Sequence, residues 1–188
     1  MLDWNIWHVP YISSYGGDNV EFLQNMIALA AIHPTTINSA ALAADNTYID
    51  VTMNAAVYNA NGGSGALEAT DFTLTFAQNS GSATGVSISS VKKNDNTAEG
   101  SATALAGGET VIRIFLSITG TPSGVETITI TPVDGSSIYD ESDRAMASSE
   151  TTGAKTLNDK VLQTISSVSL CLLYTSPRPR DQRGSRMP

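Results

Sequence analysis

Between Tyr48 and Pro132 apolar and polar side chains alternate with a period of two. Ile49, Val51, Met53, Ala55 and Val57 are interleaved with Tyr48, Asp50, Thr52, Asn54 and Ala56. Successive side chains of a strand point to opposite faces, so this spacing predicts a strand with one buried face. The pattern returns as Phe72, Leu74 and Phe76 around Thr73 and Thr75, as Val86 and Ile88 between serines, as Ile112, Ile114, Leu116 and Ile118, and as Ile128 and Ile130 among Thr127, Thr129 and Thr131. Thr suits the exposed face, because its branched Cβ packs on a pleated surface. Turn formers separate the runs: Asn61-Gly-Gly-Ser-Gly65, Asn79-Ser-Gly81, Lys93-Asn-Asp-Asn96, Gly107-Gly108, Pro122-Ser-Gly124 and Asp134-Gly135. No helical spacing intervenes.

About seven short strands in roughly 125 residues predict an all-β fold, an immunoglobulin-like antiparallel β-sandwich. The segment 35–160 holds neither Cys nor Trp, so the disulfide and core tryptophan of antibody domains are absent from it.

A longer period is also present. Gln163-Thr-Ile-Ser-Ser-Val-Ser-Leu170 aligns with Thr35-Thr-Ile-Asn-Ser-Ala-Ala-Leu42, sharing Thr36/Thr164, Ile37/Ile165, Ser39/Ser167 and Leu42/Leu170 at an offset of 128. That exceeds the roughly 20–50 residues of a solenoid unit and reads as a whole-domain repeat. Residues 35–160 are therefore expected to be one complete repeat and 161–170 the first strand of the next. The first 34 residues differ in kind. Trp4, Trp7, Tyr11 and Tyr15 crowd a loop-like stretch, and Asp18 and Asn19 then cap an apolar face at helical spacing, Val20, Leu23, Ile27, Ala30 and Ala31. Residues 1–34 are expected to be the loop-plus-helix end of a preceding domain and a linker.

Charge sharpens the C-terminal boundary. The 188 residues carry 18 acidic and 10 basic side chains, a net charge of −8 and a pI near 4.5. Such a balance argues against nucleic acid, whose phosphates call for clustered Lys and Arg. Four of the basic residues, Arg178, Arg180, Arg183 and Arg186, lie within 171–188 together with the sole cysteine, Cys171; positions 1–170 hold six basic and seventeen acidic residues, a net −11. The string Cys171-Leu-Leu-Tyr-Thr-Ser-Pro-Arg-Pro-Arg-Asp181 resembles a translated transposase adapter used in short-read sequencing, departing only at Arg178. After three residues, Ser185-Arg-Met-Pro188 matches the flow-cell primer that follows it. Residues 171–188 are thus expected to be a non-native tail. No apolar run reaches the roughly 20 residues of a membrane span, and no basic leader opens the chain. Both ends are expected to be cut.

The repeat resembles a known family, the immunoglobulin-like repeats strung in tandem along large secreted or surface-anchored bacterial proteins. The resemblance covers roughly Ile37 to Lys160 and is carried by Ala44-Asp-Asn-Thr47, Val57-Tyr-Asn59, Asn61-Gly-Gly-Ser-Gly-Ala-Leu-Glu68, Asp71-Phe72, Gly107-Gly-Glu-Thr110, Ser117-Ile-Thr-Gly-Thr-Pro122, Glu126-Thr-Ile-Thr-Ile-Thr-Pro132, Ser137-Ile-Tyr-Asp140 and Thr156-Leu-Asn-Asp-Lys160. The family continues its Tyr-Asp with Ala-Gly-Asn, whereas Glu141-Ser-Asp-Arg-Ala-Met146 follows here. The resemblance implies an extracellular or cell-surface spacer or adhesion repeat without catalysis of its own, with neighbouring immunoglobulin-like repeats of the same chain as partners and a surface glycan or protein as a possible ligand. Separately, Gly17-Asp-Asn-Val-Glu-Phe-Leu-Gln-Asn25 resembles the closing helix of an amidotransferase-like α/β domain.

The candidate chemistry is sparse. Nucleophilic catalysis needs a base beside Ser, Cys or Thr, and the only histidines, His8 and His33, lie outside the repeat. Gly62-Gly-Ser-Gly65 has neither the spacing of a nucleophile elbow nor that of a phosphate loop. Asp134, Asp140, Glu141 and Asp143 cluster in sequence, and Asp159 lies at the junction with the next unit. Ca²⁺ takes oxygens from such loops, which makes Asp140, Asp143 and Asp159 the candidate ligands; solvated acid that keeps the protein soluble is the other reading. A sugar platform would stack rings on exposed aromatics, and the repeat offers Tyr48, Tyr58 and Tyr139. On that basis the alternative function is an accessory, carbohydrate-binding module of a secreted enzyme.

Overall fold

The structure is a computed structural model that describes residues 35–162 and residue 164. The helix expected within 1–34, most of the strand expected at 161–170 and the tail 171–188 lie outside the described residues. Among the described residues eight strands run in chain order: β1 Ile37–Leu42, β2 Tyr48–Tyr58, β3 Phe72–Ala77, β4 Gly85–Lys92, β5 Glu109–Thr119, β6 Thr127–Pro132, β7 Tyr139–Asp140 and β8 Lys155–Thr156. All pairings are antiparallel. One sheet has the order β1-β2-β5-β4, with β7 on the far end of β2, and the other has the order β3-β6-β8.

The period of two becomes the packing. Ile49, Val51, Met53 and Val57 of β2 and Ile112, Ile114 and Leu116 of β5 meet Phe72 of β3 and Ile128 and Ile130 of β6 in one buried cluster, so the two sheets share a core. Ile138, Met146 and Leu157 close it from the connecting segments. Each fully buried Ile or Leu contributes about 1.5–3 kcal/mol through apolar area removed from water. Leu74 and Phe76, on the same face of β3 as Phe72, are only half-buried. Their strand has a neighbour on one side alone, β6.

Strand β5 departs from simple alternation: Ile112 through Leu116 are all buried. Of its outward residues, Arg113 is covered where the β4–β5 connection folds back over it, and Phe115 meets the Tyr48 ring edge-on at 5.9 Å. Lys93 N–H donates to Thr103 O at 2.9 Å, and Arg113 Nη1 donates to Asn96 O at 2.7 Å. The β2–β5 register slips between Thr52 and Val57, where Glu109 still pairs with Val57; on the other edge of β2 the β1 pairing ends at Met53 and β7 pairs with Val57 and Tyr58.

The chain crosses the domain from pole to pole. At the N-terminal pole Thr36 N–H donates to Asn54 Oδ1 and Thr35 Oγ donates to Arg144 O, beside the end of β2. At the opposite pole, beside the start of β2, Lys160 N–H donates to Pro122 O at 2.8 Å. Strand β2, 11 residues long, extends roughly 35 Å along this axis, and the Thr36 anchor at Asn54 lies about 20 Å from its start.

Candidate functional site

Hydrogen-bonded polar side chains gather at the two poles, and a further group, Arg113, Asp50 and Tyr48, lies on the outer face of the β2–β5 sheet. The C-terminal pole is built from the turn after β1, the loop between β5 and β6, and the segment after β8. In the first, Asn46 is fully buried and left-handed, with φ of 65°. Asn tolerates that conformation better than other side chains bearing a Cβ. Its Nδ2 donates to Asn158 O at 2.8 Å, while Asn158 N–H and Nδ2 donate to Asn46 Oδ1 at 2.8 and 2.9 Å. Asn158 Nδ2 also reaches Ala43 O at 3.0 Å. The neighbouring Asp45 accepts from Thr47 N–H and Oγ, and these bonds hold its carboxyl below the ordinary range. A cavity of about 200 Å³ opens here between Asp45, Thr47, Ile118, Pro122 and Lys160. It is smaller than the roughly 300–1,000 Å³ of ligand pockets.

Glu126 lies beneath the same pole with no exposed surface. Its carboxylate accepts from Ala83 N–H at 2.8 Å, Ser123 N–H at 2.9 Å, Ser123 Oγ at 3.1 Å and Val125 N–H at 3.3 Å. Burial alone would raise its pKa. The amides of Ala83, Glu126 and Ser123 and the Ser123 hydroxyl outweigh that and lower it from 4.5 to about 2. The carboxylate thereby ties the β3–β4 loop to the β5–β6 loop.

The calcium candidates separate. Asp140 and Asp143 share the turn at the N-terminal pole, and Asp159 sits at the other, against Gly124. Asp140 is buried; Oδ1 accepts from Ser142 and Arg144 N–H at 2.8 and 3.0 Å, and Oδ2 from Arg144 Nε at 2.8 Å. Desolvation opposes ionisation, yet these bonds hold its carboxyl below the ordinary range. Asp143, at φ 61°, accepts from Gly62 N–H, and Asp159 Oδ1 accepts from Val161 N–H at 2.8 Å. Among the described residues no group of three or more His, Cys, Asp and Glu is arranged to hold a metal ion.

The three tyrosines are half-buried and engaged inside the fold. The Arg113 guanidinium lies 3.7 Å over the Tyr48 ring, whose other neighbour is the edge of Phe115 at a centroid distance of 5.9 Å. Arg113 is also forked onto Asp50, with Nε–Oδ1 and Nη2–Oδ2 both at 2.7 Å. Tyr58 pairs with Tyr139 across β2 and β7 and lies under Gly108, where a Cβ would stand 2.9 Å from its hydroxyl oxygen. His8 and His33 lie outside the described residues.

Sequence reasoning passed over Glu126, Asn46, Asn158 and Arg113 as site residues. Three of them had a signal. Asn46 belongs to Ala44-Asp-Asn-Thr47, Glu126 to Glu126-Thr-Ile-Thr-Ile-Thr-Pro132 and Asn158 to Thr156-Leu-Asn-Asp-Lys160, and the fold joins the first of these stretches to the last. No protein-family model matches the chain, nor does any curated protein or solved structure.

Proposed function

We propose that residues 35–160 are an immunoglobulin-like repeat of a large extracellular or cell-surface bacterial protein, a non-catalytic spacer or adhesion module stacked end to end with neighbouring repeats. The observation that carries this reading is the path of the chain, anchored by Thr36 at one pole and by Asn158 and Lys160 at the other. A module entered and left at opposite poles adds its full length to an array. One whose termini met would only branch from it. The strand order supports the fold assignment. Taken as A to G in chain order, with β7 an addition and β8 as G, the sheets read A-B-E-D and C-F-G, the arrangement of constant-type domains. The 128-residue offset between Thr36 and Thr164 supports tandem organisation.

The test is a chain in which residues 1–162 are followed directly by 35–188, which adds one repeat in register. Small-angle scattering is expected to give a maximum dimension longer by about one β2 length, roughly 35 Å, than that of the parent chain. A compact particle with the two repeats side by side overturns the reading.

A further inference from the structure

Among the described residues the large apolar side chains left exposed are Val125, Val133, Val161 and Leu162, at 47%, 49%, 41% and 87%. Single exposed apolar residues are ordinary on any protein surface. Their distribution here is not. Val125 belongs to the β5–β6 loop of the C-terminal pole, next to Gly124, which leans on Asp159; Val161 and Leu162 follow directly from Lys160. Val133 comes just after β6 at the opposite pole, its N–H donating to Asp71 O at 2.9 Å.

The length of chain beyond the pole adds a second constraint. Lys160 is held by Pro122, and Thr36 by Asn54. The position matching Thr36 in a following repeat is Thr164, so only residues 161–163 separate the last backbone-anchored residue of one unit from the first whose backbone N–H is anchored in the next. Four Cα steps reach at most about 14 Å. Successive poles must then lie against each other.

We infer that Val125, Val161 and Leu162 of one repeat pack against Val133 of the repeat that follows, forming an apolar junction that fixes the angle between them. The inference rests on the end-to-end reading above and names the surface through which the partner, a second copy of this domain, is held. Burial of these side chains removes the exposed apolar area at both poles at once, whereas an isolated unit leaves it in water.

The chain of residues 1–162 followed by 35–188 tests this by position. Val125→Asp or Leu162→Asp in the first copy, or Val133→Asp in the second, is expected to lower Tm by about 3–6 °C and to broaden the scattering distance distribution as the junction becomes a hinge. Val125→Asp in the second copy and Val133→Asp in the first face no repeat and are expected to leave both readouts at parental values. The same two substitutions therefore control for damage to the fold itself. Equal effects in both copies, or no effect in either, overturn the junction. An extended tandem chain indifferent to Leu162→Asp overturns the junction while leaving the spacer reading standing; a side-by-side particle overturns the spacer reading.

Discussion

Asn46 and Asn158, 112 positions apart, are joined by three hydrogen bonds of 2.8 to 2.9 Å, so that the turn after the first strand holds the segment by which the chain leaves the domain. Asn46 is suited to this twice over, by an amide that both donates and accepts and by tolerance of its φ of 65°. Asn46→Ala is expected to cost about 2–4 kcal/mol, from backbone strain and from leaving the Asn158 N–H and C=O without their partner. Asn46→Gly keeps the backbone and should cost about 1–2 kcal/mol less. Urea unfolding measures both, and equal losses would remove the conformational part of the argument.

Glu126 makes stability depend on acid. Its folded pKa of about 2 lies below the 4.5 of an ordinary glutamate, so its contribution is complete above pH 4.5 and is lost as the pH falls through about 2. The urea midpoint of the wild type should fall more steeply between those limits than that of Glu126→Gln, since the other carboxylates are common to both proteins. Parallel curves would mean that the carboxylate cage does not bind the charged form preferentially.

Gly81 is required by the same cage. A Cβ there would stand 2.2 Å from the Glu126 carboxyl, whereas a Cβ on Gly85 would meet nothing within 4 Å. Gly81→Ala should destabilise by about 1–3 kcal/mol through overpacking. Gly85→Ala should be neutral or stabilise by up to about 1 kcal/mol, by restricting the unfolded chain. Thermal unfolding compares the two, and a lower Tm for Gly85→Ala alone would reverse the argument.

Arg113→Lys should cost about 1–3 kcal/mol, because an ammonium cannot reproduce the fork onto Asp50, the bond to Asn96 O and the stack on Tyr48 together. In a double-mutant cycle the loss should shrink when Asp50 is already Asn. A loss unchanged by Asp50→Asn would assign the effect to Tyr48 and Asn96 alone.

Much of the fold was legible because alternation is a local signal. The runs at Ile49–Val57, Phe72–Phe76, Val86–Ile88, Ile112–Ile118 and Ile128–Ile130 lie within β2 to β6, and their apolar members face the core. Strands β7 and β8, two residues each, are shorter than the pattern needs to repeat. Ile112 to Ile118 read as a strand with one buried face, and the alternation does not announce that Asn96 and Tyr48 will cover Arg113 and Phe115 on the other. The calcium candidates were grouped by their place in loops, and folding carried Asp159 to the far pole from Asp140 and Asp143.

By itself, the sequence determined the all-β class, the principal strands and the face each one buries, since a period of two sorts side chains whatever the partner strand. Only the tertiary structure decided the polar interactions between distant parts of the chain. Glu126 meets Ala83 across 43 positions, Arg113 meets Asp50 across 63 and Asn158 meets Asn46 across 112. Over such separations no spacing rule relates the partners, and a buried polar group is stable only where the fold brings its donor or acceptor to it.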